Sequence, residues 1–430
     1  MTTTPEREPP TSGGGARAAV VRRVMRRLAR RLARQASATT APAASPLPEA
    51  TRSARAIVVI ALAEVGDMVL LSPFLRGLRQ LAPTAHVSLV CLPGARSLFE
   101  HSADVNEVIA YDASMHRLLR LFLLPRRARE FARHALEERF DVAIVPRWDT
   151  DHHLAAAVAV FSRAPRRVSH TELANPRKAT LNAGFDALFT DVVSSRDVAL
   201  ELERHLEMLR ALGATAPSSS LHLGLSDADR QRAAAALQPI SAPGPLVAFG
   251  VGAAHPKRRW PASRFAAVGR ALQQEHGAHI VVVGGPDDVD AQHQLLRELG
   301  AAATGVAGML TLRESAAVLE RCRLCIGNDS APMHLAAAVG VPCVEISCHP
   351  VGGDPLHNNA PERFAPWRVP HVVVRPQAPV SPCTSSCASS APHCILSVTP
   401  AMVVSAAQAL LDRTAIAGRP SALVGDATAR

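Results

Sequence analysis

"CIGNDSAPMHLAAAVGVPCVEIS", residues 325–347, carries the reading of this chain. A short apolar run ends in Gly-Asn-Asp-Ser. A proline then sits in the first turn of an alanine-rich helix, where its missing N–H costs little. A glycine closes the helix and a second apolar run follows. Strand, helix and strand in such short order predict a parallel pair joined by a crossover. The turn also carries chemistry. Amide groups at a helix start are unpaired and hold the positive end of the helix dipole, which suits a diphosphate. Asp329 and Ser330 fit equally well as plain helix caps.

The same pattern runs outward in both directions. Downstream of a Ser/Pro/Gly-rich connection at 218–245 come a strand "PLVAFGVG" and a helix "PASRFAAVGRALQQEHG". A buried strand with a Gly-Gly exit, "AHIVVVGGPDD", and a helix "TLRESAAVLERC" lead back to the opening stretch. Upstream, "AIVVIAL" (56–62), an "EVGD" loop, a helix from about Val69 to Leu81, and strands "HVSLVCL" (86–92) and "FDVAIVP" (140–146) repeat the plan. "DHHLAAAVAVF" reads as a further helix. Such alternation predicts an α/β chain of two Rossmann-like domains, at 53–230 and 240–415, facing each other across a cleft. Ligands then bind outside the carboxyl ends of the strands.

Two more segments meet that condition. "GVGAAHPKRRWP" (250–261) puts Gly252, Lys257 and Arg258 at a strand end before a helix. Cations there can clamp a phosphate and stabilise a leaving group, although charge runs are usually solvated turns. Lys178 and Lys257 are the only lysines, leaving 45 of the 47 basic residues as arginine. Gly66-Asp67 sits at the end of the first strand, where a carboxylate can act as general base or merely cap a helix.

Taken together, "GDMVLLSPFLRGLRQLAPTAHVSLV", "HPKRRWPASRFAAVGRAL", "IVVVGGPDD" and "CRLCIGNDSAPMHLAAAVGVPCVEIS" resemble glycosyltransferase family 9, the bacterial heptosyltransferase family of lipopolysaccharide assembly. The resemblance implies a GT-B fold and an inverting transfer from a nucleotide sugar, ADP-heptose first among donors, to a glycan or glycolipid acceptor. It casts Asp67 as base and Lys257 as the group facing the donor diphosphate. Gly252, Arg258 and the run Asn328, Asp329, Ser330, Ala331, Pro332, Met333 and His334 would line the donor, with Gly284, Gly285, Asp287 and Asp288 near the nucleoside. It implies no metal and no cofactor. Two positions depart from the family pattern. Ala331 stands where glycine is usual, and Glu64 precedes Asp67 where small hydroxyl residues are common. A different sugar donor, or an inactive nucleotide-binding relative, stays open on that account.

Gly66, Asp149, Asp151 and His152 are the candidates for acceptor contact, the last three reading slightly better as polar helix-start residues. Cys348 and His349 close a strand in the second half without a defined task. "SPCTSSCASSAPHCILSV" holds Cys383, Cys387, His393 and Cys394, four soft ligands that invite a zinc or iron reading, but the spacing is no standard zinc finger's and an adjacent His-Cys pair is awkward for a tetrahedral site, so the segment reads first as a packed thiol-rich loop. The helix after it, "TPAMVVSAAQALLDR", is expected to cross back to the first domain, with 416–430 as a tail.

Residues 1–52 form a tail around a basic amphipathic helix at 19–34, read either as a contact for an anionic membrane surface or as a solvated arm. The net charge of +10 fits anionic partners. Three tryptophans and one tyrosine offer few stacking platforms, so nucleic acid is not expected. Eight scattered cysteines suit a reducing cytoplasm, and no apolar run is long enough to span a bilayer. Peripheral attachment to the inner membrane is the alternative location.

Overall fold

The computed structural model describes residues 12–36, 45–113, 120–136, 140–194, 199–238, 240 and 244–417. Among the described residues, twelve strands form two sheets. The first sheet holds β1 (Ala56–Ala61), β2 (His86–Cys91), β3 (Glu107–Ala110), β4 (Val142–Val145), β5 (Arg166–His170) and β6 (Asp191–Val193). The second holds β7 (Leu246–Gly250), β8 (His279–Val283), β9 (Ala303–Gly305), β10 (Leu324–Asn328), β11 (Cys343–Ile346) and β12 (His371–Val374). β1, β4, β8 and β10 are buried along their whole length, as expected when helices cover both faces of a parallel sheet.

The strand orders are β3-β2-β1-β4-β5-β6 and β12-β11-β10-β7-β8-β9, with every pairing parallel. Each sheet is the doubly wound order of a dinucleotide-binding fold. Its order reverses between β1 and β4 in one half and between β7 and β10 in the other. A crevice opens at such a reversal. All three motif segments leave strands that flank one: β1, β7 and β10.

The halves share a core. One apolar cluster runs from Ile57 and Val59 through Met68 and Leu71 to Met333 and Ala336. Its bridge is the packing of the helix Val65–Leu81 against the helix Ala331–Ala338.

Four expectations need correction. The first helix starts at Val65, not near Val69, so Gly66 and Asp67 occupy its first turn rather than a loop. The segment 218–245 contains a helix, Asp227–Leu237, closed by a reciprocal Ser226–Asp229 capping box. It packs on the helix Leu312–Glu320 and is tied there by Arg313–Asp229 and Arg230–Glu320 ion pairs. The boundary at 230 therefore falls inside an element of the second half. The helix Pro400–Ala417 packs on the helix Ala262–His276 and on β10, β11 and β12, in its own domain. Residues 418–430 of the expected tail lie outside the described residues.

The basic helix is longer than expected, Ser12–Ala36, and its apolar stripe is not free. Met25, Ala29 and Leu32 are buried in a cluster with Ala155, Val158, Phe185 and Leu188 of the first half. Arg22, Arg23, Arg26, Arg27, Arg30, Arg31 and Arg34 face outward. No helix among the described residues is long and apolar enough to cross a membrane.

Candidate active site

The first half contributes a carboxylate with a fixed direction. Glu64 enters the Val65 helix in an extended conformation and makes no side-chain cap, so the acid of the first turn is left for other work. Asp67 Oδ2 accepts a 2.7 Å bond from Arg147 Nη1. Arg147 follows β4, so this ion pair spans the switch point of the first sheet. Burial opposes the Arg147 charge, yet Asp67, Asp149 and Glu201 together raise its pKa. Beneath it the buried Lys178 donates from Nζ to the carbonyls of Arg147 and His170, both at 3.0 Å. Burial lowers the Lys178 pKa to about 8. Asp67, Met68, Leu71, Arg147, Glu201 and His205 line a crevice at this sheet end. The sequence reading missed Arg147. Its only signal was its place after a strand, in a chain where arginine is everywhere.

The second half contributes a cation and a helix start. Arg258 Nη1 lies 3.2 Å from Asp329 Oδ2 and 3.3 Å from the Asp329 carbonyl. Its Nε is buried without a hydrogen-bond partner. Ser330 does not cap the Ala331 helix: its hydroxyl donates to the Asn328 carbonyl at 3.1 Å. The helix start thus carries no side-chain cap, as an anion site requires. Glu345 on β11 is fully buried, and burial and the nearby Asp329 push its pKa well up. That acid was not anticipated either, because the strand around it reads as plain core.

Gly66 and His334 bring the two halves together. A Cβ on Gly66 would lie 2.6 Å from His334 Cδ2, so this is a contact only glycine permits. His334 is buried, its Nδ1 has no hydrogen-bond partner, and burial lowers its pKa, disfavouring the charged ring. Among its charged neighbours are Asp67, Asp329 and Arg258, one from the first half and two from the second.

Other candidates have different tasks. Asn328 is fully buried and stitches two loops: Oδ1 accepts from Trp260 N at 3.0 Å and Nδ2 donates to Val251 O at 2.6 Å. Met333 is core, and Pro332 packs on Gly250. Asp151 caps the helix Ala155–Phe161, accepting from the amides of Ala155 and Ala156. Asp149 accepts from Arg363 Nη1 of the second half at 2.8 Å. Each of these side chains already has a partner within the protein. His152 stays exposed.

Asp288 sits where Gly252 and Gly284 leave room for it. An added Cβ on either glycine would come within 2.6 Å of its carboxylate. It accepts from Gly285 N at 2.9 Å, and burial raises its pKa. Gly285 and Asp287 are exposed beside it. Lys257 Nζ donates to the Cys387 carbonyl at 2.6 Å, a contact 130 residues away that no motif announced.

Comparison with known proteins agrees with this geometry. The model of "Glycosyltransferase family 9 (heptosyltransferase)" matches residues 128–387. Lipopolysaccharide heptosyltransferase 2 of Salmonella typhimurium is 26% identical over 301 residues, covering 67% of this chain and 82% of that protein. The Escherichia coli K12 protein of that name is 26% identical over 297 residues, with the same coverages. A family 9 glycosyltransferase structure from Veillonella parvula superposes with a TM-score of 0.65 at 24% identity, over 84% of this chain and 98% of that one. The E. coli ADP-heptose lipopolysaccharide heptosyltransferase II structure gives 0.61 at 22%, over 84% and 99%. These superpositions show an α/β GT-B fold.

Proposed function

The chain belongs to glycosyltransferase family 9 and is a glycosyltransferase, and on that premise we propose that it moves heptose from ADP-heptose onto a lipopolysaccharide-core acceptor, with inversion. The observation that supports this reading is the Gly66–His334 contact. It sets a carboxylate of one half beside the basic helix start of the other.

In this reading the acceptor hydroxyl lies against Asp67, whose direction is fixed by Arg147. Asp67 takes the proton as the acceptor oxygen bonds to the anomeric carbon. The bond to the nucleoside diphosphate breaks on the opposite face of the sugar. Arg258, the start of the Ala331 helix and His334 take up the charge of the departing diphosphate. Lys257 supports from behind, since one of its three N–H bonds already goes to Cys387. The outward arginine row of the Ser12 helix supports electrostatic contact with anionic lipid, where a glycolipid acceptor would lie. Met25, Ala29 and Leu32 of the apolar stripe are occupied by the first half, which leaves Val20 and Val24 exposed beside the arginines.

Nucleotide-dependent stabilisation tests the donor assignment. ADP at about 100 times its dissociation constant adds about 2.7 kcal/mol to stability. The wild type is expected to shift with ADP and ADP-sugar and not with UDP or GDP, and Arg258→Ala to lose most of the shift. Selective stabilisation by UDP or GDP would change the donor. No shift with any nucleotide would leave an inactive relative.

A further inference from the structure

The loop that reads as packed thiols brings four soft ligand atoms to one point. We propose that Cys383, Cys387, His393 and Cys394 form a tetrahedral site for a thiophilic metal cation, Zn²⁺ being the best match, and that this site holds the loop under Lys257. The ligand atoms of all four lie within 4.8 Å of one another. His393 Nδ1 is 3.6 Å from Cys383 Sγ and 3.5 Å from Cys394 Sγ. A tetrahedral zinc with bonds of about 2.3 Å to sulfur and about 2.0–2.1 Å to nitrogen sets its S···N edges at about 3.6 Å. These distances are therefore already those of a coordinated pair.

The local backbone removes the objection that adjacent His and Cys cannot share a metal. In an extended chain, neighbouring side chains point to opposite faces. His393 instead has φ −144° and ψ −88°, and a tight turn begins at Cys394. That bend turns the two side chains toward the same point. The Ala388 amide donates to Cys383 Sγ at 3.4 Å, the kind of outer bond that steadies a coordinating thiolate. All three sulfurs are buried and His393 is half-buried.

The stretch between Val374 and Cys394 contains no helix or strand, yet it is anchored at many points. Lys257 Nζ holds the Cys387 carbonyl and Asp354 N holds the Ser385 carbonyl at 2.9 Å, while just beyond the stretch Trp260 Nε1 holds the Val398 carbonyl at 3.0 Å. Long loops without regular structure are uncommon in compact domains, and a metal is one way to order them. Binding displaces three thiol protons. Zn²⁺ with three thiolates carries one net negative charge, which the Lys257 ammonium beside Cys387 balances. The motif that reads as a phosphate clamp is thereby tied to the metal loop.

The test is metal content of the full chain, purified under reducing conditions. About one equivalent of zinc or iron per chain is expected, absent from Cys383→Ser/Cys394→Ser. Replacement by Co²⁺ in the wild type should give thiolate charge-transfer and tetrahedral d–d bands. That spectrum does not depend on a variant folding. No retained metal together with no Co²⁺ bands overturns the proposal, as does a disulfide between two of these cysteines found by mass after alkylation. The readout is independent of transfer, so it stands whichever donor the cleft accepts.

Discussion

Two of the seams between the halves differ in their physics. At the first, the Val65 and Ala331 helices touch through Gly66 and His334, a contact set by the lack of a side chain. At the second, Arg363 of the second half enters the first half and binds Asp149 Oδ2 at 2.8 Å and Glu201 Oε2 at 2.9 Å. Arg204 shares Glu201 and lies over the Trp148 ring at 3.3 Å. All these groups are buried. In the proposed reading the first seam brings the reacting groups together, and it leaves no room for a Cβ at Gly66. The second fixes how the halves are turned, by charges that are costly to leave alone. Positioning for chemistry and holding the halves are thus assigned to separate residues, and substitutions should separate them.

The largest effect belongs to the first seam. Asp67→Asn should lower the transfer rate by about 10²–10⁴-fold, the usual contribution of a general base. Thermal stability should hardly move, since the amide oxygen still accepts from Arg147. A fall in melting temperature as large as that of a core variant would make Asp67 structural.

At the second seam the order is reversed. Arg363→Met leaves buried Asp149 without its ion-pair partner and Glu201 with Arg204 alone, a change worth about 3–5 kcal/mol in comparable sites. Denaturant unfolding measures it. The same seam gives a pH signature. Burial disfavours the Glu201 carboxylate, yet Arg363 and Arg204 bring its pKa down to about 2 from 4.5. Its stabilisation is complete above pH 4.5 and is lost as pH falls toward about 2. Acid unfolding of Arg363→Met should lack part of that slope.

Smaller effects test the contact itself. Gly66→Ala should destabilise by about 1–3 kcal/mol through overpacking, and adding His334→Ala should restore most of it. A double variant no better than the single would place the strain elsewhere. Ser330→Ala should cost about 0.5–1.5 kcal/mol, because its hydroxyl caps nothing and makes only the bond to the Asn328 carbonyl. A loss well above about 2 kcal/mol would give Ser330 a larger structural role.

What the sequence made legible follows from range. Strands, crossovers and the Gly-Asn-Asp-Ser turn depend on neighbours within about ten residues, so the double Rossmann plan was readable. The start of the first helix was not, because Glu64 uses no capping side chain and Asp67 mimics the cap it is not. Arg147 was hidden by the arginine-rich composition, and Arg363 by a partner 214 residues away. Asn328 looked like a ligand group because buried stitching and ligand binding use the same amide. The basic helix showed its two faces plainly, but only the fold shows that Met25, Ala29 and Leu32 of its apolar face are already covered.

The most direct test of the central claim is product mass. The full chain would be incubated with ADP-heptose and a lipopolysaccharide-core acceptor, beside the Asp67→Asn variant. The account predicts one added heptose on the acceptor with ADP released by the wild type, and at most a trace from the variant. Equal transfer by both proteins, or no transfer from ADP-heptose alongside transfer from another nucleotide sugar, would contradict it.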